Sequence, residues 1–290
     1  MTAKTDNQIK LASGRTLGYA EYGDPHGKPV LHFHGLPSSR FELNSPGTEE
    51  AAARLHARII LVERPGIGLS DYQPYRIVGW PDLVTEFADL LQLERFAVMG
   101  YSSGTKYVAA CAWKIPQRLS AAAIVSGNCP YDLPGARASL GSQDRLLYLL
   151  ADKFPWLLRL ILGKIAGEAR KDPASVLKLS SEVSEPDKAA IAQPDIQELS
   201  GNMVLGAFAQ GTRGAALDWK LEARPWGFRL EDISMPVHVF HGEQDKIVPV
   251  EQGRIMAKAL PNARATFYPG EGHISLMGNH YEELLGALVG

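Results

Sequence analysis

The chain has 290 residues, 45% hydrophobic and 21% charged, with a formal net charge of −2. That balance suits a globular protein with a substantial core, built as one large α/β domain or two small ones, and gives no basis for nucleic acid as a partner. Two cysteines, Cys111 and Cys129, are too few for a disulfide scaffold and lack metal-ligand spacing, so a reduced, cytoplasmic protein is expected.

Met1 to Gln8 contains no apolar core and does not read as a secretory signal. The most apolar run, Phe154 to Ala166, is too short for a bilayer and carries Arg159 and Lys164, so no membrane span is expected. Thr16 to Tyr22 alternates as a strand, and Gly23-Asp24-Pro25-His26-Gly27 is a dense turn signal. A short apolar strand from Pro29 ends in His34-Gly35, followed by Leu36-Pro37, and Ser38 or Ser39 is a candidate cap for a helix running towards His56. Arg58 to Glu63 is a continuous apolar run, as expected of a strand buried on both faces, and it empties into the turn-rich loop Arg64-Pro65-Gly66-Ile67-Gly68-Leu69-Ser70-Asp71. Pro81 suits a first helical turn, after which Leu83, Val84, Phe87, Leu90 and Leu91 recur at helical spacing.

Phe96 to Gly100 reads as the next strand, and a helix from Ser103 to Trp113 follows. Between them lies Gly100-Tyr101-Ser102-Ser103-Gly104. Gly-x-Ser-x-Gly between a strand and a helix is the pattern of a nucleophile elbow, in which a tight turn projects the serine hydroxyl from the sheet edge. A Cβ at Gly100 or Gly104 would crowd the turn or the neighbouring strand. Leu119 to Ser126 is another apolar strand. Strands alternating with helices predict a mostly parallel sheet covered on both faces, with the ligand site beyond the carboxyl ends of the strands.

From about Pro130 to Arg224 the alternation stops and the sequence reads as helices: Gln143 to Leu150, Trp156 to Arg170, Ser175 to Leu179, Pro194 to Gln210 and Ala215 to Leu221. An all-helical insertion at this point predicts a lid over residues 130–224, with residues 1–129 and 225–290 forming the α/β core. Phe154 to Leu158 is expected in the lid's own core rather than lining a pocket. Alternation resumes with a strand from Met235 to Gly242, a Glu243-Gln244-Asp245 turn, a helix from about Val250 to Leu260 and a strand from Ala265 to Tyr268. The loop Pro269-Gly270-Glu271-Gly272-His273 and a closing helix from Tyr281 to Val289 complete the chain.

A serine hydroxyl is a weak nucleophile at neutral pH and needs a base and a group to orient that base. Downstream of Ser102 the strand ends offer Asp245 and His273. Asp132 is a rival acid, but the turn after the Ser126 strand presents Asn128 rather than a carboxylate. His280 competes with His273 and is expected in or near the closing helix. A tetrahedral intermediate also needs N–H donors, which this layout draws from the amides of Ser103 and Leu36. His34 is expected to brace the Gly35-Leu36 turn, and Arg64 and Asp71 to brace their own loop. His32, His238 and His241 read as core or structural histidines, with no metal spacing among them and no metal expected. Tyr101, in the elbow's variable position, is a candidate substrate contact, with packing as the alternative.

Five motifs stand in one order: His34-Gly35-Leu36-Pro37, Arg64-Pro65-Gly66-Ile67-Gly68-Leu69-Ser70, Gly100-Tyr101-Ser102-Ser103-Gly104, Gly242-Glu243-Gln244-Asp245 and Gly272-His273. On these the chain resembles, over nearly its whole length, an α/β-hydrolase of the large lidded group that includes esterases, haloperoxidase-like perhydrolases and carbon–carbon bond hydrolases. The resemblance implies a cofactor-free serine hydrolase in which Ser102 attacks, His273 moves the proton, Asp245 holds the imidazole, and Leu36 and Ser103 bind the oxyanion. It implies a small-molecule acyl substrate, a small or medium carboxylic ester by preference. Cleavage of a carbon–carbon bond or a lactone by the same triad, or a slow-turnover ligand-binding receptor, are the alternatives. Serine at position 102 argues against dehalogenases and epoxide hydrolases, which use a carboxylate nucleophile. Glu63 departs from the aspartate that relatives more often carry before Arg-Pro-Gly, and reads as structural. The oligomeric state stays open.

Overall fold

The computed structural model describes residues 3–172 and 183–290. Strands β1 (Lys4–Lys10), β2 (Thr16–Gly23), β3 (Lys28–Phe33), β4 (Ala57–Val62), β5 (Phe96–Tyr101), β6 (Leu119–Val125), β7 (Val237–Gly242) and β8 (Ala263–Tyr268) form one sheet in the order β1-β2-β4-β3-β5-β6-β7-β8. The β1–β2 and β2–β4 pairs are antiparallel and the other five are parallel. The mostly parallel sheet expected from the alternating pattern is therefore present. Its centre is apolar: Leu31, Phe33, Ile60, Leu61, Val98, Ala122 and Val239 are fully buried, as parallel strands covered on both faces require.

One face of the sheet packs against helices α2 (Trp80–Leu90), α3 (Thr105–Lys114) and α10 (Val250–Ala259), with Trp80, Phe87, Tyr107 and Met256 in the shared core. The other face packs against α1 (Pro46–Arg54) and α11 (His273–Val289), with Ala52, Leu276, Leu284 and Leu285 buried there. Between β6 and β7 the described residues form α4 (Ala136–Ser139), α5 (Ser142–Lys153), α6 (Pro155–Lys171), α7 (Glu185–Ile191), α8 (Pro194–Ala207) and α9 (Arg213–Glu222). This segment has its own core of Leu150, Leu158, Leu162, Val204, Phe208 and Ala215, into which Ile67 from the loop after β4 inserts and against which Leu36 packs.

Several expected elements are corrected. Strand β1 has no sequence signal because it is an edge strand that alternates exposed and half-buried residues, with no apolar face. The helix after β3 starts at Pro46 rather than Ser38 or Ser39, and its cap is Ser45, whose hydroxyl accepts from the Thr48 amide at 3.3 Å. The last helix starts at His273, two turns before Tyr281, because Ser275 and Leu276 already face inward. Helix α7 was not anticipated, and the helix expected over Ser175 to Leu179 lies outside the described residues. Within Phe154 to Leu158 only Leu158 is fully buried, whereas Phe154 and Trp156 are 47% and 63% exposed. Leu158, Leu162, Ala166 and Ala169 occupy the inward stripe of α6 at helical spacing, which turns Trp156 and Leu160 to the other side.

Candidate active site

Strand β5 ends at Tyr101 and α3 begins at Thr105, with Ser102–Gly104 as a single 3-10 turn between them. Ser102 sits at φ 53°, in the left-handed region that a non-glycine residue enters only when its surroundings hold it there. Both glycines of the motif are sterically required. A Cβ on Gly104 would lie 2.0 Å from the Phe33 carbonyl oxygen, and one on Gly100 would lie 2.6 Å from the Gly104 carbonyl oxygen. Backbone, not a flexible side chain, is what it would strike. The elbow is thus pressed against the end of β3, and a Cβ on Gly35 would meet the Ser102 Cβ at 3.4 Å.

The turn after β3 is braced from two sides. Glu42 accepts from the Gly35 amide at 2.7 Å, from the Ser38 hydroxyl at 2.6 Å and from His32 Nε2 at 2.8 Å. Arg64 donates to the carbonyls of His34 at 2.6 Å and Gly35 at 2.8 Å. With those carbonyls held by the guanidinium, the Leu36 amide is left without an acceptor among the described residues. The Ser103 amide stands in the first turn of its helix, where N–H groups have no intrahelical partner. The two amides expected to serve as donors therefore belong to adjacent strand ends. His34 bonds through Nδ1 to the Gly35 carbonyl at 2.9 Å, and its pKa is driven well below the ordinary value by burial and then by Arg64, so the ring is neutral.

At the other pair of strand ends, β7 leads to Asp245 and β8 to His273. Asp245 Oδ2 lies 2.8 Å from His273 Nδ1, which donates to it. Asp245 Oδ1 accepts from the amides of Ile247 and Val248 at 2.9 and 2.7 Å, so the carboxylate is fixed by its own turn. Burial pushes the Asp245 carboxyl up, but His273 and His241 beside it outweigh that and hold its pKa at about 2. Burial also pushes His273 down, yet Asp245, and then Asp187 and Glu42, prevail and raise its pKa above the ordinary histidine value. Tyr101 links the two halves of the site: its hydroxyl donates to the His273 carbonyl at 3.1 Å and its ring centroid is 4.9 Å from the imidazole's. Ser102 Oγ makes no hydrogen bond to His273 in this structure. Asp132 is exposed, and His280 lies within α11, paired with Glu271 and Glu283. His241, read from the sequence as merely structural, has Nε2 3.3 Å from Asp245 Oδ2 and 2.8 Å from the Val248 carbonyl.

Four buried groups around the site were missed by sequence reasoning. Asp218 and Glu222 of α9 reach inward one turn apart. Asp218 pairs with Arg64 at 2.8 Å and accepts from the Tyr107 hydroxyl at 2.9 Å. Glu222 accepts from the Ser103 hydroxyl at 2.7 Å, from Asn128 at 2.8 Å and from Lys106. Asp187 of α7 accepts amides at the start of α11. Two acids four residues apart on a face shared with Ala215 and Leu221 are a legible signal for Asp218 and Glu222. Glu42 and Asp187 carry no such signal. Among the described residues no cluster of histidine, cysteine, aspartate or glutamate could hold a metal ion, and no helix is long and apolar enough to cross a membrane.

Residues 28–279 match the family described as alpha/beta hydrolase fold. The poly(3-hydroxyalkanoate) depolymerase of Ectopseudomonas oleovorans is 26% identical over 286 residues, spanning 95% of this chain and 86% of that protein. Among solved structures, a hydrolase from Pseudomonas aeruginosa PA01 superposes with a TM-score of 0.71 at 18% identity, covering 98% of each chain. The enol-lactonase of Burkholderia xenovorans LB400 gives a TM-score of 0.69 at 19% identity, covering 96% of this chain and 98% of the other. At these identities the structural likenesses speak for the fold.

Proposed function

The chain belongs to the alpha/beta hydrolase fold family, and on that premise we propose that it is a serine hydrolase that cleaves small or medium carboxylic esters through an acyl-enzyme on Ser102. The observation that carries this reading is the 2.8 Å bond from His273 Nδ1 to a carboxylate held at about 2. It fixes the tautomer with Nε2 free of a proton, which a general base requires. Ser102 Oγ attacks the acyl carbonyl and passes its proton to Nε2. The oxyanion that forms is bound by the amides of Leu36 and Ser103, whose positions are set by Arg64, Glu42 and the elbow turn. His273 returns the proton to the leaving alcohol, and water then repeats the sequence against the acyl-enzyme. The Ser102–His273 bond closes when substrate is bound, as catalytic hydrogen bonds often do. The described helices α4 to α9 serve as the lid over the acyl site, and Leu36 of the oxyanion turn packs against their core.

A fluorophosphonate probe tests the reading directly. Intact-mass analysis is expected to give one adduct on the unsubstituted protein and none on Ser102→Ala, together with loss of p-nitrophenyl ester turnover. An adduct that persists in Ser102→Ala, or none on either protein, refutes it. The similarity to a depolymerase of poly(3-hydroxyalkanoate) adds 3-hydroxyacyl esters to the substrate panel.

A further inference from the structure

Helix α7 is short, yet its third residue, Asp187, is fully buried. Its carboxylate accepts from three consecutive backbone amides at the start of α11: Oδ2 from His273 at 3.0 Å, and Oδ1 from Ile274 at 2.7 Å and Ser275 at 3.0 Å. The Ser184 hydroxyl donates to Oδ2 at 2.8 Å and orients the group. Amides in a first helical turn have no partner within the helix, and a negative charge there is favoured by the helix dipole. Here the acceptor is delivered by a different part of the chain, 86 residues away from His273. The fit is specific, because a Cβ on Gly272 would lie 2.3 Å from both Asp187 Oδ2 and Ser184 Oγ.

We propose that Asp187 is a positioning residue for His273: the carboxylate from the helical segment fixes the first turn of α11 and so the direction in which the imidazole points. The inference rests on the reading of His273 as general base. Asp245 holds one ring nitrogen, Tyr101 holds the carbonyl and Asp187 holds the amide, so the residue is fastened at three atoms from three elements. The charged and titratable groups facing the imidazole are Asp245, Asp187 and Glu42, with the Tyr101 ring tilted against it and Asp144 of α5 within electrostatic reach. Around Asp187 itself, Glu185 and Lys188 pair with each other on the exposed side of α7, with Lys246 near Glu185.

The sign of the effect follows from charge. Asp187 is one of the anions that raise the His273 pKa, so removing its charge lowers the pH at which the imidazole loses its proton. A general base acts when neutral, and the acid limb of kcat/KM then moves to lower pH. The experiment compares Asp187→Asn with the unsubstituted protein in two measurements. One is the NMR titration of His273 in histidine-labelled protein. The other is the pH profile on p-nitrophenyl acetate. The expected result is a lower His273 midpoint, with kcat down roughly 10- to 100-fold, as for a misplaced catalytic group, and KM little changed. A folded Asp187→Asn with an unchanged midpoint and unchanged kcat, and only a lower Tm, overturns the proposal and leaves a plain helix cap. Should Asp187→Asn fail to fold, Gly272→Ala displaces the carboxylate sterically and decides by the same two readouts. The titration needs no substrate, so an absence of ester turnover refutes the proposed function without obscuring the role of Asp187.

Discussion

Asp245 carries several interactions at once. It anchors its own turn through two amides, holds His273 Nδ1 and lies beside His241, all while 5% exposed. A buried carboxylate is tolerable only when its lone pairs are taken up in this way. The asparagine variant preserves shape but loses the charge, and its amide can present a donor to Nδ1, which favours the wrong tautomer. Asp245→Asn is therefore expected to reduce kcat on the order of 10⁴-fold. Asp132→Asn, at an exposed position, is expected to leave kcat near the unsubstituted value. Steady-state kinetics on p-nitrophenyl acetate decides, and the reverse ranking would move the acid to the end of β6.

Helix α9 bears on the candidate site through two buried acids. Through Asp218 it holds Arg64, whose other two nitrogens fix the carbonyls of His34 and Gly35, and through Glu222 it holds Ser103 and Lys106. Both proposed oxyanion donors are thus supported from the same helix face. Arg64 is completely buried and Asp218 is 1% exposed, so Asp218→Ala would leave a guanidinium charge without its partner in the interior. The expected loss is about 3–5 kcal/mol of stability in urea unfolding, the usual cost of stranding one half of a buried pair. A fall in kcat should accompany it as the Gly35-Leu36 turn loosens. A loss under about 1 kcal/mol would mean that the Tyr107 ring, 5.0 Å from the guanidinium carbon, and the two carbonyls suffice for Arg64 without the carboxylate.

At the scale of the whole molecule, the described part of the segment between β6 and β7 is joined to the rest of the fold by buried polar contacts that include Asp187 to the start of α11, Asp218 to Arg64, Glu222 to Lys106, and Gln252 of α10 to the Ala136 carbonyl. Ile67 of the β4 loop adds an apolar contact within that segment's core. A unit fastened in this way should not unfold on its own. Far-UV circular dichroism, tryptophan fluorescence and amide exchange in α5 to α9 are expected to follow one transition in urea. A separate early transition confined to α5–α9 would show the helices to be an independent unit that only rests on the sheet.

The alternation of buried runs with helical spacing determined the sheet, and Gly-x-Ser-x-Gly at a strand–helix junction located Ser102, because such signals are local. A strand buried on both faces must be apolar throughout, and a tight turn must have glycine where backbone crowds it, whatever else the chain does. Asp245 was legible as a carboxylate in the turn beyond an apolar strand, and His273 as the histidine of a glycine-rich loop after the last strand. Edge strand β1 and the true starts of α1 and α11 were not, since an exposed edge leaves no apolar pattern and a helix start depends on what caps it. Among the supporting acids, Asp218 and Glu222 left a trace in the sequence through their spacing on one face of α9, whereas Glu42 and Asp187 were decided by tertiary structure alone. An acidic residue is buried only where a partner distant in sequence arrives to satisfy it, and that meeting is fixed by packing, not by the neighbouring residues.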